Sequence, residues 1–203
     1  MKKQFFLCCL ALGAIGISSR LQAQSFEEGQ SSIQVGYGFG NFIQAVFNAY
    51  EIYDDYSFKA TGPAFLKYEY GVTDKIGLGL NVAYASAKVS YRDNSFLVGN
   101  GNDPYEQSIK WNTMSFLARM NFHFANSEKF DPYAGFGMGF RTASWSYEDN
   151  DPDYDNDVST SNLFPFGFEM TIGARYYISD NFGIYAETGL AKAVIQLGLN
   201  LKL

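Results

Sequence analysis

The sequence is poor in several things, and each shortage excludes a class of protein. Its two cysteines, Cys8 and Cys9, both lie within the first ten residues, in a stretch that reads as a secretory leader. Lys2 and Lys3 make a basic start, residues 5–17 are apolar, and Leu21-Gln22-Ala23 gives a small-residue cleavage site. Residues 1–23 are therefore expected to be removed as a signal peptide, leaving 24–203 as one domain with Gln24 first. That domain has no cysteine, which excludes disulfides and any cysteine-based metal site or catalysis. Histidine is nearly absent, with His123 alone. Cations are scarce: the formal net charge is −6, and Lys2, Lys3 and Arg20 belong to the leader. A chain this acidic is a poor partner for nucleic acid, because phosphate affinity comes from Lys and Arg. Beyond the leader there is no uninterrupted apolar stretch of the ~18 residues that a membrane-crossing helix needs.

What is present is alternation. A strand sends successive side chains to opposite faces. Residues 194–203 put Ile195, Leu197, Leu199, Leu201 and Leu203 on one face and Val194, Gln196, Gly198, Asn200 and Lys202 on the other. The same period runs through residues 32–42, 59–71, 75–91, 108–124, 131–145, 162–178 and 182–191, which makes eight strands and no helix outside the leader. One face is consistently large and apolar, as with Phe164, Phe166, Phe168, Met170 and Ile172. The other carries Lys67, Glu69, Arg119, His123, Glu169, Arg175, Glu187 and many glycines.

Connections alternate in length. Residues 72–74, 125–130 and 179–181 are short; 42–58, 92–107 and 146–161 are long; the last turn, 191–193, is short on the long-loop side. A soluble lipocalin-like barrel or sandwich also alternates, but it hides its apolar face. It would have to build its exterior from glycine and charge. The pattern instead predicts an all-β, eight-stranded antiparallel up-and-down transmembrane β-barrel with an apolar outside. Aromatics, 18% of the chain, fall near both strand ends, as interfacial girdles do.

The chain resembles the small eight-stranded outer-membrane β-barrels, a group that includes OmpX, OmpW and the OmpA transmembrane domain, and most of all the Bacteroidetes-type outer membrane protein β-barrel domain. The resemblance is carried by Tyr70-Gly71-Val72-Thr73-Asp74-Lys75-Ile76-Gly77-Leu78-Gly79, by Leu117-Ala118-Arg119-Met120-Asn121-Phe122-His123-Phe124, by Asp131-Pro132-Tyr133-Ala134-Gly135-Phe136-Gly137 and by the terminal strand. The family usually ends on an aromatic residue, whereas this chain ends on Leu203. The resemblance implies an integral outer-membrane protein with a periplasmic N-terminus and extracellular long loops. It also implies contact with outer-membrane lipid and lipopolysaccharide, and insertion by the barrel-assembly machinery reading Ile195, Leu197, Leu199, Leu201 and Leu203. Loops 42–58, 92–107 and 146–161 are the expected protein-contact regions.

Candidate sites follow from the inward face. Lys67, Glu69, Arg119, His123, Glu169, Arg175 and Glu187 are expected to form an acid–base cluster in the lumen, where an unpaired charge is costly. Such a cluster reads as a structural plug or as a gated ion path. His123 has no inward serine nearer than Ser115 on its own strand, so a lipid A-modifying triad is not expected and no catalytic residue is assigned. Asp151, Asp153, Asp155 and Asp157 have the spacing of calcium-loop ligands. Asn156 stands where the glycine is required and Asn162 where the closing glutamate is required, so only loose cation binding is expected. Gly36-x-Gly38-x-Gly40 and Gly135-x-Gly137-x-Gly139 have strand period and are expected to keep inward positions small. No cofactor is expected. The functional expectation is a non-enzymatic barrel with a structural or surface-interacting role, alone or within a larger outer-membrane complex, with a narrow channel as the runner-up.

Overall fold

The computed structural model describes residues 25–41, 54–92, 106–124, 127–149, 158–161 and 165–203. Among the described residues nine strands run in chain order: β1 (Ser31–Asn41), β2 (Asp54–Thr73), β3 (Ile76–Arg92), β4 (Glu106–His123), β5 (Phe130–Asp149), β6 (Val158–Ser161), β7 (Phe166–Tyr177), β8 (Phe182–Leu190) and β9 (Ala193–Lys202). All pairings are antiparallel, and each strand lies beside its sequence neighbour. β6 and β7 both pair with β5, β6 with its upper part and β7 with its lower part, so together they make one stave. β1 pairs with β9 from Ser32↔Lys202 to Asn41↔Ala193, which closes an eight-staved barrel. Closure satisfies the backbone polar groups that an open sheet leaves at its edges.

Strand boundaries differ most from the sequence expectation in three places. β2 begins at Asp54 and β5 runs to Asp149, both inside stretches expected to be loop. These extensions have a core of their own: Ala85, Ala87, Val89, Tyr91 and Trp111 are buried together, with Phe58, Ile109 and Trp145 packed against them. The third difference is that the expected 162–178 strand begins only at Phe166, as β7, while a short strand, β6, precedes it inside the expected loop 146–161. Pro165 lies between them; it has no N–H for the ladder, although its carbonyl accepts from the Arg141 N–H at 2.7 Å.

The outer surface is apolar. Val35, Leu66, Leu80, Phe116, Phe136, Phe168, Ile172 and Leu199 are all exposed. The aromatics Tyr68, Tyr70, Phe122, Phe124, Tyr176 and Phe182 circle the short-turn rim, and Tyr37, Phe39 and Phe140 lie higher. The inside is the reverse, with Lys67, Glu69, Arg119, Asp131, Glu169, Arg175 and Glu187 buried. Val194 breaks the parity expected of it, because it and Ile195 are both exposed while Ala193 turns inward. The cause is local: Gly40 has φ +71 opposite Val194, so the ladder between β1 and β9 skips a pair there.

The staves are unequal. β2 and β5 have 20 residues each, whereas β8 has 9 and β9 has 10. At ~3.4 Å per residue, the short pair barely crosses a hydrocarbon layer, and the long strands rise well above it.

Candidate functional site: an ionic network in the lower lumen

The inward positions of five strands, β2, β4, β5, β7 and β8, place charged side chains just inside the short-turn rim. Glu187 on β8 is the hub. Its Oε2 accepts from Lys67 Nζ at 2.7 Å, and its Oε1 accepts from Arg119 Nη2 at 2.9 Å and Tyr133 Oη at 2.7 Å. Arg119 also donates to Glu169 Oε1 at 2.7 Å, Thr171 Oγ1 at 2.9 Å and Asn121 Oδ1 at 2.7 Å. Asn81 Nδ2 donates to the second oxygen of Glu169 at 2.7 Å. Lys67 donates to Gln196 Oε1 at 2.8 Å and sits 4.9 Å from the centre of the Tyr185 ring.

A second group lies closer to the rim. Arg175 donates to Glu69 through Nη2, and its Nη1 is 3.4 Å from Asp131. Its guanidinium lies 4.7 Å from the centre of the Tyr133 ring. His123 Nδ1 is 2.6 Å from Asp131 and its Nε2 is 3.1 Å from Glu69. Each ring nitrogen thus faces a carboxyl oxygen, and the ring is held between two acidic side chains. Asn121 joins the two groups by donating to Glu69 at 2.8 Å.

Small residues make this crowding possible. A Cβ at Gly77 would strike the Glu69 carboxylate, and one at Gly135 would strike the Arg119 guanidinium. A side chain at Gly36 or Gly198 would strike Tyr185.

Below the network, residues 25–30 fold into the mouth. The Gly29 N–H donates to Gly71 O at 2.8 Å, the Gly71 N–H to Gln30 O at 2.8 Å and the Ser25 N–H to Ser127 O at 3.0 Å. Phe26 is buried and stacks flat on His123, with centroids 3.5 Å apart and 6° between the planes.

The structure brings all seven inward candidates, Lys67, Glu69, Arg119, His123, Glu169, Arg175 and Glu187, into this network. Sequence reasoning missed Asp131, the first residue of the expected 131–145 strand, just before Pro132. It missed Asn81, Asn121, Gln196 and Tyr133, whose neutral side chains carry no signal beyond parity. It also missed Phe26, which has no periodicity around it. Ser115 pairs in register with Arg141, far up β4 from His123, and both His123 nitrogens are engaged by carboxylates. Ile195, Leu197, Leu199 and Leu203 are exposed on the outer face, with Leu201 half-buried. Asp151, Asp153, Asp155 and Asp157 lie outside the described residues. Among the described residues, no group of three or more His, Asp or Glu is disposed to hold a metal ion.

An apolar exterior, a closed antiparallel ladder and a polar, filled interior define a transmembrane β-barrel of the outer-membrane type. Residues 7–198 match the family model described as "Outer membrane protein beta-barrel domain". The chain belongs to that family and is an integral outer-membrane protein. No curated protein matches its sequence. Solved structures with a similar fold include Ail, the attachment invasion locus protein of Yersinia pestis, in complex with sucrose octasulfate, at 16% identity and a TM-score of 0.44, covering 87% of this chain and 99% of that one. OprG from Pseudomonas aeruginosa is similar at 13% identity and a TM-score of 0.44, covering 88% and 97%. The N-terminal β-barrel domain of Pseudomonas aeruginosa OprF is similar at 14% identity and a TM-score of 0.34, covering 87% and 100%.

Proposed function

We propose that the protein is a non-enzymatic barrel whose lower lumen is plugged and whose role is structural or surface-interacting, alone or as a subunit of a larger outer-membrane complex. The observation that carries this reading is the ionic network. Lys67, Arg119, Arg175 and His123 meet Glu69, Asp131, Glu169 and Glu187 across the lower lumen, and at that level their side chains fill the space between the eight staves. The engagement of both His123 nitrogens argues against a histidine-dependent lipid-modifying reaction.

In this reading residues 1–23 are removed on export, the N-terminus and short turns face the periplasm, and the long connections face outward. The terminal strand, through Ile195, Leu197, Leu199, Leu201 and Leu203, is what the assembly machinery reads, and the same face then meets lipid and lipopolysaccharide. Segments 42–58, 92–107 and 146–161 meet protein partners. Support comes from the tall sheet of β2 to β5, which rises past β8 and β9 and carries its own apolar cluster. Planar-bilayer recording tests the plug: the wild type is expected to show no sustained openings, and steady conductance would favour the narrow channel instead. Co-purification from native membranes in mild detergent tests the partner role, with a stoichiometric companion as the expected outcome.

A further inference from the structure

Above the ionic network the lumen widens into a cavity of about 580 Å³. That volume is within the ~300–1,000 Å³ usual for small-molecule sites. Phe65, Ala83, Ala85, Trp111 and Leu117 make its walls apolar. Two cations face it: Arg141 from β5 and Lys192 from the β8–β9 turn. Lys192 Nζ donates to Thr113 Oγ1 at 2.9 Å, and Arg141 Nε is buried without a hydrogen-bond partner. Neither forms an ion pair among the described residues. The one carboxylate lining the cavity, Glu169, is already committed to Arg119 and Asn81. Burial and the neighbouring Arg141 lower the Lys192 amine to about 7, so the pair carries its full charge only beside an anion.

The cavity also has a side exit. Its lining includes Phe166, Phe168 and Leu190, which face outward and are 56%, 55% and 66% exposed. β8 ends at Leu190, paired with Met170, so residues 166–169 of β7 have no partner on that side. The wall is therefore notched where the β8–β9 hairpin falls short, and the cavity reaches the lipid-facing surface there. One missing strand segment, ~4.8 Å of wall, admits one chain rather than two.

We propose that this cavity binds a single-chain amphiphile with an anionic head. A carboxylate or phosphate is held by Arg141 and Lys192, and the acyl chain lies along the apolar wall and leaves through the notch beside Leu190. The charges fix the head and the notch fixes the direction of the tail.

The two tryptophans of the chain report on the site, since Trp111 lines it and Trp145 lies 6.0 Å from Trp111. The refolded protein in zwitterionic micelles is titrated with doxyl-labelled stearate, reading tryptophan quenching. Saturable quenching is expected, reversed by palmitate or dodecyl phosphate and not by hexadecanol. Reversal by palmitate alone assigns a carboxylate head, and by dodecyl phosphate alone a phosphate head. The Arg141→Gln/Lys192→Gln variant, its folding checked by the heat-modifiable electrophoretic shift, is expected to bind about tenfold more weakly or worse, the loss due to one charge-assisted hydrogen bond. Hexadecanol competing as well as palmitate on the wild type would overturn the proposal whether or not the variant folds. So would a folded double variant with wild-type affinity.

Discussion

Glu187 accepts from Lys67, Arg119 and Tyr133 at once, so deleting its carboxylate leaves buried Lys67 without a carboxylate and Arg119 with Glu169 alone. Replacing a whole buried ion pair by apolar groups is often tolerated, whereas removing one partner is not. Glu187→Ala is expected to cost about 3–5 kcal/mol, read as a lower urea midpoint for the barrel refolded in vesicles. The tyrosines separate two other effects. Tyr133 donates to that carboxylate, so Tyr133→Phe is expected to cost about 1.5–3 kcal/mol in the same assay. The Tyr185 hydroxyl is buried without a hydrogen-bond partner, so Tyr185→Phe is expected to be neutral or slightly stabilising. Equal losses for the two would contradict this assignment of partners. At this scale, parity was enough to pick out every charged member but Asp131, because Lys, Arg and Glu on an inward face have to meet one another. It could not pick out Asn81, Asn121 or Tyr133. A neutral side chain satisfies an inward position anywhere along a strand, and only the stagger of the staves decides which charge it touches.

Strands obey their period more faithfully than their ends. The eight-fold alternation was legible because each stave separates lipid from lumen over many residues, but the tops of β2, β4 and β5 were not. There the inward face changes from charge to Ala85, Val89 and Trp111, and the contrast between faces fades. β9 shows the opposite case, with strong contrast and a defined register to both β1 and β8. Leu199 is 53% exposed, opposite Val35 and Ile184. Leu199→Asp places a carboxylate in lipid at a cost of up to ~2 kcal/mol and marks the strand that assembly would read. Loss of the heat-modifiable folded band is expected in outer-membrane fractions, and survival of that band would count against the lipid-facing assignment. The segment 25–30 is an element without secondary structure, and no pattern announces it. Its hold on the mouth includes three backbone–backbone hydrogen bonds, Ser25 Oγ donating to Phe130 O, the Glu28 N–H donating to Asp74 Oδ1, and one ring stack. Phe26→Ala is expected to leave the barrel folded and to speed hydrogen exchange at the His123 and Tyr133 amides, measured by NMR in micelles.

The molecule as a whole is a barrel of uneven height. β8 and β9 stop where β2 and β5 have covered half their length, so one side of the wall is low and the other carries a sheet upward. Three layers share the interior: an ionic floor, a cavity with two cations and an apolar top. Deleting residues 25–30 is expected to leave wild-type bilayer recordings silent, because the ionic floor remains closed above that segment. Openings in that variant alone would assign the seal to the N-terminal segment instead.

The meeting of β1 and β9 has one more consequence. The Leu203 N–H donates to Ser31 O at 2.9 Å, and Ser32 lies opposite Lys202. The two ends of the strand ladder are therefore neighbours, joined by hydrogen bonds where every other short-turn pair is joined by covalent chain. A circular permutant that links residue 203 to residue 31 through a short linker and opens the chain between β3 and β4 breaks no ladder pair. Geometrically, the order of staves around the ring is what the fold requires, and the seam can sit at any long connection.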